Sequence, residues 1–227
     1  MEDFIGYLQR GGRALGLELE PAALERLAAH QRLLLRWADK VNLTTVREPR
    51  AMAERLYLDS AVLAPALGAS TRVHDVGSGA GFPGLVLKAL RPELALTLTE
   101  ARRKRVSFLQ QAARVMGLGH GMEIRWRRLG WAGGGRRPQP ADWAEPVWDE
   151  VVSRATLPPP LWVEQGSRLV APGGRLWIMA GQPHGSGDAR ADWRAAGLPA
   201  GFCLEREQRY RLPFCGLERW LVALRRV

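Results

Sequence analysis

The run Val73-His74-Asp75-Val76-Gly77-Ser78-Gly79-Ala80-Gly81-Phe82-Pro83-Gly84 constrains this chain more than any other stretch. Val73 and Val76 are β-branched and suit a short buried strand. The alternate glycines Gly77, Gly79 and Gly81 let the backbone turn tightly and approach a ligand with no Cβ in the way. Pro83 falls where a helix should begin, a position that tolerates its missing N–H. Strand, glycine turn and helix N-terminus in this order make the nucleotide cradle of an open α/β sheet. The spacing is G-x-G-x-G, without the Lys-Ser/Thr pair that holds a triphosphate. Asp75 precedes the glycines, where a carboxylate can meet a cationic ligand. Glu100 ends the apolar run Leu94-Ala95-Leu96-Thr97-Leu98-Thr99, which reads as a second strand. An acid there can accept hydrogen bonds from both hydroxyls of a ribose. Ribose recognition without a phosphate grip points to S-adenosylmethionine.

The rest of the chain fits around this unit. Before it, residues 1–70 read as a helical N-terminal extension. Leu24, Leu27, Ala28, Gln31, Leu34, Leu35, Ala38 and Val41 follow the spacing of one helix face. Asn42 to Val46 break that helix, and a third runs from Pro49 toward Ala66 with Asp59-Ser60 at its middle, facing either a site or water. From residue 71 to 227, strand and helix alternate. Strands are expected near 94–100, 123–127, 149–154, 175–179, 203–211 and 218–224. Pro158-Pro159-Pro160 reads as a block to any helix immediately after the fourth strand. The fold class is therefore α/β: a Rossmann-like, mostly parallel seven-stranded sheet with an antiparallel last strand. The short Pro213-Phe214-Cys215-Gly216 link requires the final pair of strands to be antiparallel.

Charge and composition narrow the partners. The net charge is +10, and basic clusters fall at residues 102–105, 125–128, 136–137 and 225–226. A polyanion, nucleic acid above all, is the expected partner. Arg102, Arg103, Lys104, Arg136 and Arg137 are the candidate RNA contacts. Arg102 to Arg105 also open a helix, where the dipole ordinarily favours acids. That mismatch suggests that these charges serve a partner. Two cysteines and four histidines show no metal spacing, so no metal is expected. No apolar run approaches a membrane span, and the N-terminus lacks a basic leader. A soluble cytoplasmic protein, a monomer with no membrane partner, is the expectation. Nine tryptophans offer stacking surfaces, and Trp126 and Trp131 flank the expected pocket, although for any single tryptophan a core position is the commoner fate.

Further residues carry a family resemblance. Trp37, Asn42-Leu43-Thr44, Leu58-Asp59-Ser60, the Asp75 to Gly84 run, Arg91-Pro92, Lys104 to Leu109, Ser153-Arg154-Ala155, Gly173-Gly174-Arg175 and Glu218-Arg219 together resemble the RsmG (GidB) family over almost the whole chain. That resemblance implies a methyltransferase that uses S-adenosylmethionine to methylate guanine N7 in small-subunit (16S) ribosomal RNA, releasing S-adenosylhomocysteine. It implies cofactor contacts at Gly77, Phe82, Arg128, Leu129 and Arg154, with Glu100 as the ribose acid; Asp75 and Gly79 join them on the loop reading above. Phe82 or Leu129 offers an apolar wall for adenine. No catalytic acid or base is assigned; Arg154 is the candidate positioning group, with Arg219 beside it. The chain departs from the family pattern at Leu56, Leu129, Ala180 and Trp220. Two alternatives stay open on the residues alone: a small-molecule methyltransferase, and a methyltransferase-like binder of RNA or the ribosome with reduced activity.

Overall fold

The structure is a computed structural model that describes residues 3–68, 71–128, 148–154, 156–181 and 193–227. Helices α1 (Phe4–Ala14) and α2 (Pro21–Ala38) come first. Asp3 caps α1 by accepting from the Gly6 N–H, and Pro21 opens α2 at the position where no N–H is needed. The third helical stretch is not uniform. It runs as α3 (Pro49–Met52), a π-helical segment (Ala53–Leu58) and α4 (Asp59–Ala61). Such π segments recur at functional sites, and this one brings Leu56 and Asp59 toward the top of the sheet, as described below.

Beyond it lie β1 (Arg72–Val76), α5 (Gly84–Leu90), β2 (Ala95–Glu100), α6 (Arg103–Val115), β3 (Met122–Trp126), β4 (Trp148–Arg154), α7 (Pro159–Gly166), β5 (Val170–Gly181), β6 (Phe202–Arg211) and β7 (Glu218–Arg226). The sheet order is β3-β2-β1-β4-β5-β7-β6. The first five strands are mutually parallel, and β7 runs antiparallel between β5 and β6. This is the expected sheet, with the reversed strand inserted one place from the edge. One expectation is overturned: α7 starts inside the proline triplet. Pro158 is its N-cap and Pro159 opens it, because the first turn has no use for the missing N–H groups.

The N-terminal helices and the sheet share one core. Phe4, Leu8, Leu27 and Leu34 cluster with Val73, Leu85, Leu98, Phe108 and Trp177. Polar ties run through that core. Wholly buried His30 on α2 sits between the Tyr57 hydroxyl (2.7 Å, at Nδ1) and the Ala80 carbonyl (2.9 Å, at Nε2). A carbonyl only accepts, so Nε2 carries the proton and Nδ1 accepts from Tyr57. The glycine turn is thereby pinned to the second helix. Glu54, in the π segment, accepts from the Phe214 and Cys215 N–H groups of the β6–β7 turn. Lys88, buried in α5, donates to the Pro92 and Leu94 carbonyls and closes the turn into β2.

Burial pushes His30 down to about 4 and His74, against Trp148 in β1, down to about 3. An unfolded histidine titrates near 6.5, so between these values the unfolded chain binds more protons. The histidine contribution to stability is therefore complete above about pH 6.5 and is lost as pH falls toward 4. Asp75, raised to about 7 by burial, acts with the opposite sign: its folded state binds the extra proton as pH falls from 7 toward 4. The two effects separate by substitution. Urea titrations of wild type and His30→Phe at pH 7 and pH 5 should show a smaller loss on acidification in the variant, by up to about 2 kcal/mol. An equal loss in both would mean that His30 does not titrate with folding.

Candidate functional site

The site lies at the carboxyl ends of β1, β2 and β4, where open α/β sheets bind ligands. The loop after β1 begins by hooking onto its neighbour: the Gly77 and Ser78 N–H groups both donate to the Thr99 carbonyl, at 2.8 and 3.1 Å. Gly77 has φ +72°, and a Cβ there would lie 2.4 Å from Thr156 Oγ1. Only glycine fits both conditions. Gly84 is required for closeness alone: a Cβ would lie 2.4 Å from Leu98 and 2.7 Å from Asp75 Oδ2. That contact lets the Gly84 N–H donate to Asp75 at 2.9 Å.

Asp75 is therefore placed differently from the sequence reading. Its carboxylate lies beneath the loop, wholly buried, and does not line the cavity. The chain folds back over β1, so a residue next to the glycines in sequence supports them from below. Oδ1 has no hydrogen-bond partner, and burial raises the group to about 7 against the Gly84 N–H, Ser78 and Arg154, which favour its charged form.

Glu100 occupies the expected position. Oε2 accepts from the Gly79 N–H at 3.0 Å and Oε1 from the Arg102 N–H at 2.8 Å, with Arg105 Nη1 at 4.0 Å. An ionised carboxylate has about four acceptor sites, so capacity remains for a diol. The second bond also resolves the charge mismatch at the start of α6. Arg102 is the N-cap, and the negative charge that the dipole favours there comes from Glu100 in the preceding strand.

The cavity above the loop has a volume of about 450 Å³. Gly77, Gly79, Phe82, Glu100, Arg128 and Arg154 line it together, as does Arg102. Arg103 and Lys104 are exposed on the first turn of α6. Leu129, Arg136, Arg137 and Trp131 lie outside the described residues. Thr156, which the sequence did not point to, also lines it, as do Arg105 and Arg127 from the basic clusters at 102–105 and 125–128. Leu43 and Thr44, from the break after α2, and Leu56 complete the wall on the side of the N-terminal helices.

Arg154, at the end of β4, is held by those helices. Its Nη1 lies 3.0 Å from the Arg55 carbonyl, 3.3 Å from the Leu56 carbonyl, 3.2 Å from Asp59 Oδ2 and 3.4 Å from Ser60 Oγ. Its guanidinium carbon stands 5.4 Å from the Phe82 ring centroid. Asp59 is buried, and its other oxygen accepts from the Tyr210 hydroxyl at 2.8 Å and meets Arg219 Nε at 3.6 Å. Burial and the Asp59 charge raise the Tyr210 hydroxyl well above its usual range, so it stays a donor. One carboxylate thus fixes two arginines, of which Arg154 lines the cavity and Arg219 stands behind it. Arg219 is placed here because β7 runs antiparallel to β5, which brings the start of β7 to the carboxyl edge of the sheet. Trp220 and Ala180 face each other as register partners on those two strands.

The donor set fits S-adenosylmethionine. A glycine turn that closes against Thr156 leaves no side chain between loop and cavity, Glu100 has free acceptor sites for ribose hydroxyls, and Phe82 gives an apolar surface.

Comparison with known proteins agrees. The family model for GidB, described as rRNA small subunit methyltransferase G, matches residues 23–189. The chain is 35% identical to a ribosomal RNA small subunit methyltransferase G from Azoarcus sp. (strain BH72), covering 98% of this chain and 97% of that protein. It is 36% identical to a protein of the same name from Anaeromyxobacter sp. (strain Fw109-5), over 96% and 97%. Among solved structures, an O-methyltransferase from Bacillus cereus in complex with SAH aligns with TM-score 0.58 and 14% identity, over 87% of this chain and 90% of that one. A SAM dependent methyltransferase from Aquifex aeolicus aligns at 0.54 and 16%, over 78% and 93%. At such identities the two structures bear on fold alone. The family match and the full-length relatives place this chain in the rRNA small subunit methyltransferase G (GidB) family.

Proposed function

We propose that this protein methylates N7 of a guanine in small-subunit ribosomal RNA, with S-adenosylmethionine as methyl donor. The carrying observation is a charge imbalance in one cavity. Glu100 serves a ribose, yet Arg102, Arg105, Arg127, Arg128 and Arg154 line the same space. The one carboxylate of a methyl donor with net positive charge does not call for five guanidiniums, whereas an RNA phosphate backbone does.

Bound there, the cofactor supplies an electrophilic methyl group. The residues do the rest by placement. The Gly77–Gly81 backbone and Glu100 fix one end of the ligand, and Phe82 with Arg154 borders the other. Guanine N7 has an in-plane lone pair and no proton, so no general base is needed. Among the described residues, those lining the cavity include no histidine or lysine, which suits that chemistry. The contacts that hold Arg154 all run through Nη1, so among the described residues the other N–H groups of its fork are free for guanine O6 or a phosphate. Orientation of this kind supplies on the order of 7–11 kcal/mol in ideal cases. Arg128, and Leu129 beside it, serve the adenine side, and Arg219 supports Arg154 through Asp59. Lys104 and the Arg136–Arg137 pair extend the phosphate-binding face. A ribosomal RNA partner supports a cytoplasmic protein, and we take it to act as a monomer.

Three outcomes test this reading. Mapping N7-methylguanine in ribosomal RNA from cells with and without the gene should show one site lost and restored by wild type but not by Arg154→Met; an unchanged map would refute the substrate. Gly77→Ala should lose at least about tenfold in affinity for S-adenosylhomocysteine by calorimetry, since it combines a disfavoured φ with a clash against Thr156. Wild-type affinity would remove the loop from the cofactor site. Arg102→Ala with Lys104→Ala should flatten the slope of log RNA affinity against log salt by about 1.4 units, about 0.7 for each single-strand phosphate contact. An unchanged slope would place the RNA face elsewhere.

A further inference from the structure

Trp126 is the one large aromatic side chain among the described residues that stands exposed, at 60%. It ends β3, in register with Glu100 on β2, so it sits at the rim of the cavity on the ribose side. It does not line that cavity, whereas the next residues, Arg127 and Arg128, do. Its orientation is fixed. The indole Nε1–H donates to the Ala101 carbonyl at 3.1 Å, and the Arg103 guanidinium lies 5.5 Å from the ring centroid. A backbone bond holds the indole, Arg103 lies beside its ring, and Arg102, Arg103 and Lys104 are all exposed at the start of α6. Arg125, one residue earlier, is engaged by Glu123 at 2.7 Å and does not add to this patch.

Resting on the ribosomal RNA reading above, we propose that Trp126 is a stacking platform for an unpaired RNA base that flanks the target nucleotide. Single-stranded RNA is bound by stacking splayed bases on aromatic rings and guanidinium planes, with cations on the adjoining phosphates. The indole supplies the π surface, Arg103 a second planar group over it, and Arg102 and Lys104 the charge. A protein partner would call for an apolar patch around the ring, but the side chain that lies against it, Arg103, is cationic. Stacking is tolerant of sequence, so the platform secures the strand while the cavity selects the base. It also sets apart two contributions to affinity: the arginines and lysine act through phosphates and respond to salt, whereas the indole does not.

The test uses the full-length protein, a small-subunit ribosomal RNA fragment containing the methylated loop, and inorganic polyphosphate as a base-free polyanion. Trp126→Ala should weaken RNA binding by roughly 5- to 150-fold with an unchanged salt slope. Trp126→Phe should recover most of the loss. Polyphosphate binding, S-adenosylhomocysteine affinity and melting temperature should all stay at wild-type values. Unchanged RNA affinity would overturn the proposal. So would an equal loss with polyphosphate, which would reduce Trp126 to a support for Arg103, or lost S-adenosylhomocysteine affinity, which would make it a wall for adenine. A lowered melting temperature with RNA affinity intact would make it a packing residue. If wild type itself binds this RNA no better than polyphosphate, the ribosomal RNA reading falls first, and the platform with it.

Discussion

The carboxylate of Glu100 ties together the parts on which the site depends. With one oxygen it holds the Gly79 N–H and with the other the Arg102 N–H, so the glycine loop and the start of α6 share one charged anchor. Hydrogen bonds to an ionised acceptor are among the stronger ones, and this acceptor is buried. The same group sets the shape of the ribose end of the cavity and offsets the cationic first turn of α6. Without it, the loop would lose its tie to β2 at Gly79, and Arg102 to Arg105 would face the helix dipole uncompensated.

The N-terminal helices matter to this site as much as the sheet does. His30 holds the Ala80 carbonyl from α2, and Asp59, after the π segment, holds Arg154 and Arg219. Both ties are buried and depend on a defined protonation state: a neutral imidazole with its proton on Nε2, and an ionised carboxylate among two arginines and a tyrosine. A ligand-binding loop on an isolated sheet would be free to move at its tip. Here the tip is clamped from behind by aromatic packing of His30 against Tyr57, Phe82 and Phe108.

Much of this was legible in the sequence because it is written locally. Strand, glycine turn and helix in Val73 to Gly84 follow each other within twelve positions, and Glu100 closes the next strand. Alternating strands and helices then fix a parallel sheet, and the short turn at Pro213 to Gly216 fixes the reversed strand. What the sequence misplaced depends on which way a residue faces. Asp75 adjoins the glycines, yet the loop folds over it and leaves it below the cavity. The prolines at 158–160 looked like a barrier, although a helix can start on them. What it missed is non-local. Asp59 meets Arg154, Tyr210 and Arg219 across a large part of the chain, and no spacing rule links them. Trp126 was legible as a flank of the expected pocket, but its exposure and its bond to Ala101, which separate it from buried tryptophans such as Trp177, were not.

The central claim is that one cavity serves a cationic methyl donor through Glu100 and a polyanion through its arginines. The direct measurement is calorimetric titration of S-adenosylmethionine and S-adenosylhomocysteine, each with and without saturating ribosomal RNA fragment. The two differ by the methyl group and the positive charge on sulfur, which the cavity arginines disfavour and RNA phosphates would offset. RNA should therefore raise affinity for S-adenosylmethionine more than for S-adenosylhomocysteine, with both still binding to the complex. If RNA instead competes with either cofactor, or leaves their ratio of affinities unchanged, the arginines do not face the RNA beside the cofactor and the account is wrong.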